Sequence, residues 1–403
     1  MSGFSGAILS LESLPQGVAP VDKTVIDLNG PVVTVLSLST LGGVPQGRIL
    51  APEAKLSVKA KDIGQVFPLA FDDGKDGQPA NLYAGATSAY GLNIVSPKPD
   101  ADGTPIRLKI GATDAQFMQG QFGGLPGGGP GTIWKIDGAT GAVSALGDTA
   151  FSGVANSGPG IGGLAFDPNS RTLYASDLDT GLIHRFALDY NAANLGQFDH
   201  GVNGRPARGL PPVPDDGKRA DITSNAFKAE DPSTWGFTQS ERRVRGLAVH
   251  DGRLYYAVDD GPEIWSVGLT EDGGIANDAR SELLVKAASP SPVTSIAFDG
   301  DGRMLLAQRG TQKGAYDFGA FVDTTPTQVL RYALEARISL ACEGRPVAAF
   351  PRSAGAQVFR RSPAAEDFRR SSVPPRRSQA PVPPFFRPLK AEAARPRHRR
   401  AAA

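Results

Sequence analysis

From Ile161 to Asp189 the chain alternates short apolar runs with clusters of turn formers. GGLAF is followed by DPNSR, TLYAS by DLDTG, and LIHRFALD closes the segment. Asp, Pro, Asn and Ser favour tight turns because they bond local backbone or fix φ, so the pattern predicts three short strands joined by two turns. Runs such as LAF and LYA are apolar at consecutive positions, which predicts strands that are largely buried. A three-stranded unit of that kind cannot cover both its faces alone. It needs copies of itself to pack against.

The copies are present. Val244 to Leu269, VRGLAVHDGRLYYAVDDGPEIWSVGL, repeats the order of strand, DG turn, strand, acidic turn and strand. Val293 to Gly310 gives two strands, with TQVLRYALE from Thr327 as a third after an insertion. Phe67 to Ala86 gives two more, with GTIWKID at Gly131 to Asp137 as their third. From Gly246 to Ser295 the repeat is about 49 residues, within the roughly 40 to 50 of a propeller blade. The expected fold is therefore an all-β β-propeller with four visible blades. Pro31 to Ser57 adds an N-terminal half blade, an outer hairpin, and the visible count implies a ring that is either incomplete or atypically closed. The 49 Gly and 33 Pro suit many tight turns and oppose long helices.

The pattern GLAFDP, RTLYASD and IHRFALD resembles the blade of the NHL, strictosidine-synthase and gluconolactonase-like group of β-propellers, over about Phe67 to Glu335. The resemblance specifies the fold more than an activity, because the shared residues are strand and turn formers. Within the group, gluconolactonase-like enzymes hold a divalent metal at the propeller mouth through a Glu, an Asn and an Asp. Asp177, in LYASD, stands where the resemblance implies the Asp, and Asp259, in YYAVD, stands there in the next blade. PGIG at Pro159 to Gly162 occupies the place of the Asn, and no Glu begins an innermost strand. Ca²⁺ on Asp177 and Asp259 is thus the one cofactor implied, although two carboxylates leave a hard cation mostly hydrated. A quinone cofactor, as in propeller dehydrogenases, finds no specific residues.

In such propellers the innermost strand starts at the face where the second strand ends. Three insertions, 88–130, 190–243 and 308–326, fall in the loops of that face, where a rigid scaffold usually places binding residues. The ends of second strands bring Thr87, Ser88, Asp177, Asp259, Asp260, Gln308 and Arg309 to this mouth, and the starts of innermost strands add Arg243, Arg245 and Thr294. Carboxylates beside guanidinium groups suit a small polar ligand with hydroxyl or carboxylate groups, or a protein partner. The plainer alternative is that these charges pair with one another. The function expected is a binding module, with a metal-dependent lactonase-like hydrolase as the alternative.

Other signals are weaker. FDDGKDGQPANLY at Phe71 to Tyr83 has acids spaced around glycines but lacks the closing Glu of a calcium loop, so it reads as a turn. His184 falls in a strand, His250 in a turn, and no Cys/His cluster or HExxH suggests zinc. Asp199 and His200 form an acid and histidine pair, read as loop structure, and no GxSxG serine accompanies them. The GGLPGGGPG run lacks the Lys of a phosphate loop and reads as a flexible insertion. Trp134 and Trp265, each in an IW pair, are expected to pack between blades.

The ends of the chain differ from its middle. Residues 1–30 carry AILSLESL with no basic start, which is not a secretory signal, and no apolar stretch is long enough for a membrane span. The compartment stays open, periplasmic or secreted if the true start lies upstream. Cys342 is the single cysteine, so no intramolecular disulfide forms. Residues 337–403 hold 14 Arg and one Lys against four acids, about +11, leaving about −10 elsewhere in a chain of net +1. Such a tail lacks the apolar content to order itself. A cationic arm for nucleic acid, or a shifted reading frame in GC-rich coding sequence, are the other readings.

Overall fold

The computed structural model describes residues 29–37, 53–88 except 76, 122–188, 193–221, 231–285, 291–310 and 327–334. The short pieces 7–9, 24–26, 39, 94–95, 101, 116–117, 224, 226 and 359–361 are also described. The expectations for the tail, and for the inner parts of the insertions 88–130 and 308–326, lie largely outside the described residues.

The four repeats form four antiparallel four-stranded sheets, each a blade of a β-propeller. The first blade runs outward from Val66–Phe71 through Leu82–Ala86 and Thr132–Ile136 to Val143–Asp148. The second runs through Ile161–Asp167, Thr172–Asp177, Leu182–Ala187 and Ala193–Asp199. The third is Val244–His250, Arg253–Val258, Glu263–Gly268 and Arg280–Leu284. The fourth is Val293–Phe298, Met304–Gln308, Gln328–Leu334 and Phe359–Arg361. Pro31–Leu36 and Ala54–Lys59 pair as a hairpin that packs beside the first blade. Among the described residues no helix is long and apolar enough to cross a membrane.

The innermost strands of successive blades lie side by side in chain order. Their convergence requires small residues. A Cβ on Gly163 would sit 2.3 Å from the Arg245 carbonyl oxygen of the next blade, far inside contact distance. At the equivalent place in the neighbouring blades the chain has Pro68, Gly246 and Ser295.

The second strands of the second and third blades each serve two cores. In Leu173–Tyr174–Ala175, the outer two pack toward Tyr83 and Ile133 of the first blade, while Tyr174 packs with Tyr256 and Trp265 of the third. Leu254 and Tyr256 face the second blade, Tyr255 and Ala257 the fourth. The consecutive apolar runs in the sequence are this two-sided burial, with side chains alternating across the sheet. Trp265 is buried in the core between the second and third blades, and Trp134 in the core between the first blade and the N-terminal hairpin.

All four innermost strands carry a bulge at their start, opposite the end of the second strand. The register slips between Val66 and Leu69, Ile161 and Gly163, Val244 and Leu247, and Val293 and Ser295. A bulge re-aims side chains and ends regular pairing. Here it recurs at the mouth, the face that carries the insertions.

Two of the weaker sequence signals take definite form. Asp72 closes the Phe71 to Tyr83 turn, its carboxylate accepting from Gly74 N, Asn81 N, Asn81 Nδ2 and the Tyr83 hydroxyl at 2.7 to 3.0 Å. The described part of the glycine-rich run is not a free loop. Gly124 N and Leu125 N donate to the carbonyls of Lys61 and Asp62, and Phe122 is buried, because glycine lets the two backbones meet without a Cβ between them.

Candidate ligand site at the second blade

The turn that leads into the innermost strand of the second blade is built by Asn156. Its side-chain oxygen accepts from Gly158 N (2.9 Å) and Gly160 N (3.1 Å). Thr87 and Ser88 of the first blade fasten the same turn: the Ser88 hydroxyl donates to Gly158 O (2.7 Å) and that of Thr87 to Pro159 O (3.4 Å). Both side chains are fully buried and hold this loop in place. Gly160 sits at φ +81, with the Thr87 Cα only 2.5 Å from where its Cβ would be. No other residue fits there.

Fixed in this way, Asn156 reaches Asp177 at the end of the second strand, its Nδ2 donating to Oδ1 at 2.6 Å. The Asp179 backbone N–H (2.9 Å) and the Thr180 hydroxyl (2.7 Å) also donate to Asp177. Asp179 beside it accepts from Ser157 N (2.6 Å) and Ser157 Oγ (2.9 Å). Both acids are buried. Burial, with the Asp179 charge adding to it, pushes the Asp177 carboxyl up to about 7, and burial raises Asp179 as well. Behind Asp177 stands His184, Nε2 to Oδ2 3.9 Å, beyond hydrogen-bond reach. Asn194 Nδ2 lies 3.0 Å from His184 Nδ1 and can only donate to it, which leaves the ring proton on Nε2. Burial brings this imidazole down to about 4.

The insertion before the third blade covers this turn. Its first part, Ala193–Asp199, is the fourth strand of the second blade, and two helical turns, His200–Gly204 and Arg205–Arg208, follow. Arg242, buried, ties the insertion down by donating to Thr180 O (2.9 Å), Val213 O (3.1 Å) and Asp199 Oδ2 (3.0 Å). Asp199 is thus a partner of Arg242, and His200 is packed against the Tyr256 and Trp265 rings, with Nδ1 3.1 Å from the Tyr256 hydroxyl. Neither faces the mouth together with the other. Ala220 N donates to Ser157 Oγ (2.9 Å) and brings Arg219 onto the acids. Arg219 holds Asp215 with two nitrogens, at 2.6 and 3.2 Å, and approaches Asp179 at 3.7 Å.

Between these elements is a cavity of about 270 Å³. Thr149, Asn156, Asp177, Asp179, Asp215 and Arg219 line its polar side, and Phe151, Val154 and Ala155 its apolar side. Thr149 is buried and its hydroxyl has no hydrogen-bond partner.

The other residues expected at the mouth form separate groups. Arg245 Nε meets both oxygens of Asp259 (2.8 and 2.9 Å), and Arg243 Nη1 approaches at 3.3 Å. Both guanidinium groups also lie over the Phe237 ring, at 5.2 and 5.9 Å. Asp260 is half exposed and 3.4 Å from Arg205. Gln308 donates to Ser291 O and accepts from Gln328, both at 2.7 Å, while the Thr294 hydroxyl reaches Ala307 O (3.4 Å). Arg309 sits 5.1 Å above the Phe67 ring of the first blade.

The donor set does not fit a hydrolytic metal centre. Asn156 turns its N–H, a donor, toward Asp177, and Asp259 is occupied by two arginines. Among the described residues no group of three or more His, Cys, Asp or Glu side chains is placed to hold a metal ion. Sequence reasoning missed Asn156 because it lies three residues ahead of the PGIG that stands in the expected place. Arg219 and Arg242 carried no signal beyond their charge.

No family model and no curated protein matches the chain. Solved structures similar to it include the PQQ-bound aldose sugar dehydrogenase from Streptomyces coelicolor, at 18% identity over 82% of this chain and 93% of that one, TM-score 0.30. A putative 6-phosphogluconolactonase from Bacteroides uniformis matches at 13% identity over 76% and 84%, TM-score 0.32. A chain of a nidogen/laminin complex matches at 13% identity over 64% of this chain, TM-score 0.32, and this chain spans 61% of its length. At these values the likenesses carry no argument about function. The propeller rests on the four blades themselves.

Proposed function

We propose that the protein is a β-propeller binding module that takes a small polar ligand at the second blade, over Asp177. The observation that carries this reading is the cavity itself. It is concave, of about 270 Å³, lies at the bulged and insertion-bearing face, and joins an apolar wall to several polar groups, as ligand sites do. Asp177 is held rigidly by three neutral donors, so its carboxyl is positioned before any ligand arrives. The insertion, fastened by Arg242, forms the roof.

A thermal-shift panel of sugars, hydroxy acids, amino acids and amines tests the reading. A ligand that binds only the folded chain raises the melting temperature by linkage, about 2.7 kcal/mol at a hundredfold excess over Kd. At least one class should raise it, and Asp177→Asn should remove the rise. A cooperative melt that no class moves would overturn the proposal.

The alternative, a lactonase-like hydrolase, rests on residue type alone: an Asn stands beside the Asp177 carboxylate, but it presents its N–H there while its oxygen accepts from Gly158 and Gly160. Its test is millimolar calcium, which must raise the melting temperature of the native chain and not that of Asp177→Asn for the reading to stand.

A further inference from the structure

Which ligand the cavity accepts follows from charge and donors, granted that it is a ligand site at all. We propose that it takes a small molecule bearing a guanidinium group, which sits against Asp177 and Asp179 with its apolar end toward Phe151 and Val154.

Three carboxylates line the cavity against one guanidinium. Arg219 spends its paired contacts on Asp215 and comes no nearer than 3.7 Å to Asp179. Asp177 receives hydrogen bonds from Asn156, the Asp179 backbone and Thr180, all of them neutral, and among the described residues no Lys or Arg touches it. Burial favours the neutral form of the Asp177 and Asp179 carboxyls, so a cation set against them is held by drawing them back to the ionised form, and no cation of the chain is already in contact with Asp177 among the described residues. An anionic ligand opposes that ionisation and a neutral polyol gains nothing from it.

Donor geometry favours guanidinium over ammonium. The acceptors are spread over Asp177, Asp179 and Asp215, with the unpartnered Thr149 hydroxyl as a fourth. A planar cation with five N–H groups in a fixed fork can reach several such acceptors at once, whereas an ammonium concentrates its charge on one. At the cavity itself Arg219 on Asp215 shows this recognition, two nitrogens on two carboxylate oxygens. Val154, at 59% exposure a large apolar side chain left open, marks where the apolar end would be covered. The volume equals that of about nine liquid waters, enough for a guanidinium on a short alkyl chain.

Ligand-observed NMR titration of the full chain with butylguanidinium, butylammonium, butylurea and pentanoate tests the proposal. Butylguanidinium should bind at least about fivefold tighter than butylammonium, with butylurea and pentanoate weaker still. Asp179→Asn should weaken butylguanidinium about tenfold, and Arg219→Ala, by removing the competing internal cation, should tighten it. The ligand series on the native chain and the Arg219→Ala variant decide the matter even if Asp179→Asn fails to fold. Butylurea or pentanoate binding as tightly as butylguanidinium would overturn the cationic class and leave the cavity reading intact. Equal binding of butylammonium would overturn the guanidinium assignment. No binding of any probe to either protein would remove the proposal, whereas the polar-ligand reading falls only if its own panel also fails.

Discussion

Asp259 and Asp260 are neighbours in sequence with opposite circumstances, and replacing each by Ala separates structural from exposed charge. Asp259 is clamped by Arg245, which is 2% exposed, and by Arg243. Removing its carboxylate leaves two largely buried guanidinium groups without their shared partner. Breaking a buried pair from one side costs about 3 to 5 kcal/mol, because the remaining charge stays desolvated. At about 2 to 4 °C per kcal/mol for a domain of this size class, Asp259→Ala should lower the melting temperature by roughly 6 to 20 °C. Asp260 is half exposed, and its 3.4 Å contact with Arg205 is worth about 0 to 1 kcal/mol, so Asp260→Ala should move the melt by no more than a few degrees. Adding Arg245→Met to Asp259→Ala should restore part of the loss, since it removes the stranded charge. Urea unfolding of the four proteins, with unchanged slope, measures all of this. If the two alanine variants melt together, Asp259 is not the anchor of this face and the ion-pair argument fails.

Three further outcomes are expected. Gly163→Ala should cost about 1 to 3 kcal/mol or more by driving two innermost strands apart, while Gly300→Ala, with nothing near its Cβ, should be close to neutral; thermal melts compare them. His200 is held down to about 3 and His184 to about 4 by burial, below the ordinary imidazole value of about 6.5. Their contribution is therefore complete above about pH 6.5 and is lost as pH falls toward 4 and 3, by at most about 1.4 kcal/mol per pH unit each; Asp177, raised to about 7, acts in the opposite sense, and the acid-side fall in melting temperature should be shallower in His200→Gln. Arg242→Ala strands the Thr180 and Val213 carbonyls and Asp199, so the insertion should loosen and trypsin should cut after Lys218 or Arg219 faster than in the native chain.

The blades were legible because the information for them is local. DG and DPNS turns fall between apolar runs, and the runs are apolar on both faces because Leu254, Tyr255, Tyr256 and Ala257 alternate between two cores. The fourth strands were not legible. VSALGD, ANLGQFD and RSELL are outermost, carry fewer buried side chains, and read as polar connections. The site divides in the same way. Asp177 follows from its place at a strand end, but Asn156 reaches it only because Thr87 and Ser88 of another blade fold the intervening loop. That dependence is between blades and leaves no periodic trace. For Arg243, Arg245 and Asp259, position at the mouth was readable, whereas their engagement with each other depends on which way a bulge turns Arg245.

Two-sided burial also bears on how such a chain changes length over generations. A blade that contributes half of each of two cores has no outer face of its own, so a duplicated copy placed between two blades meets the same surface its parent met. Whole units can then be gained or lost while the packing chemistry stays constant. Variation by fractions of a unit is what the architecture resists, because it would leave one alternating strand with a single core to fill.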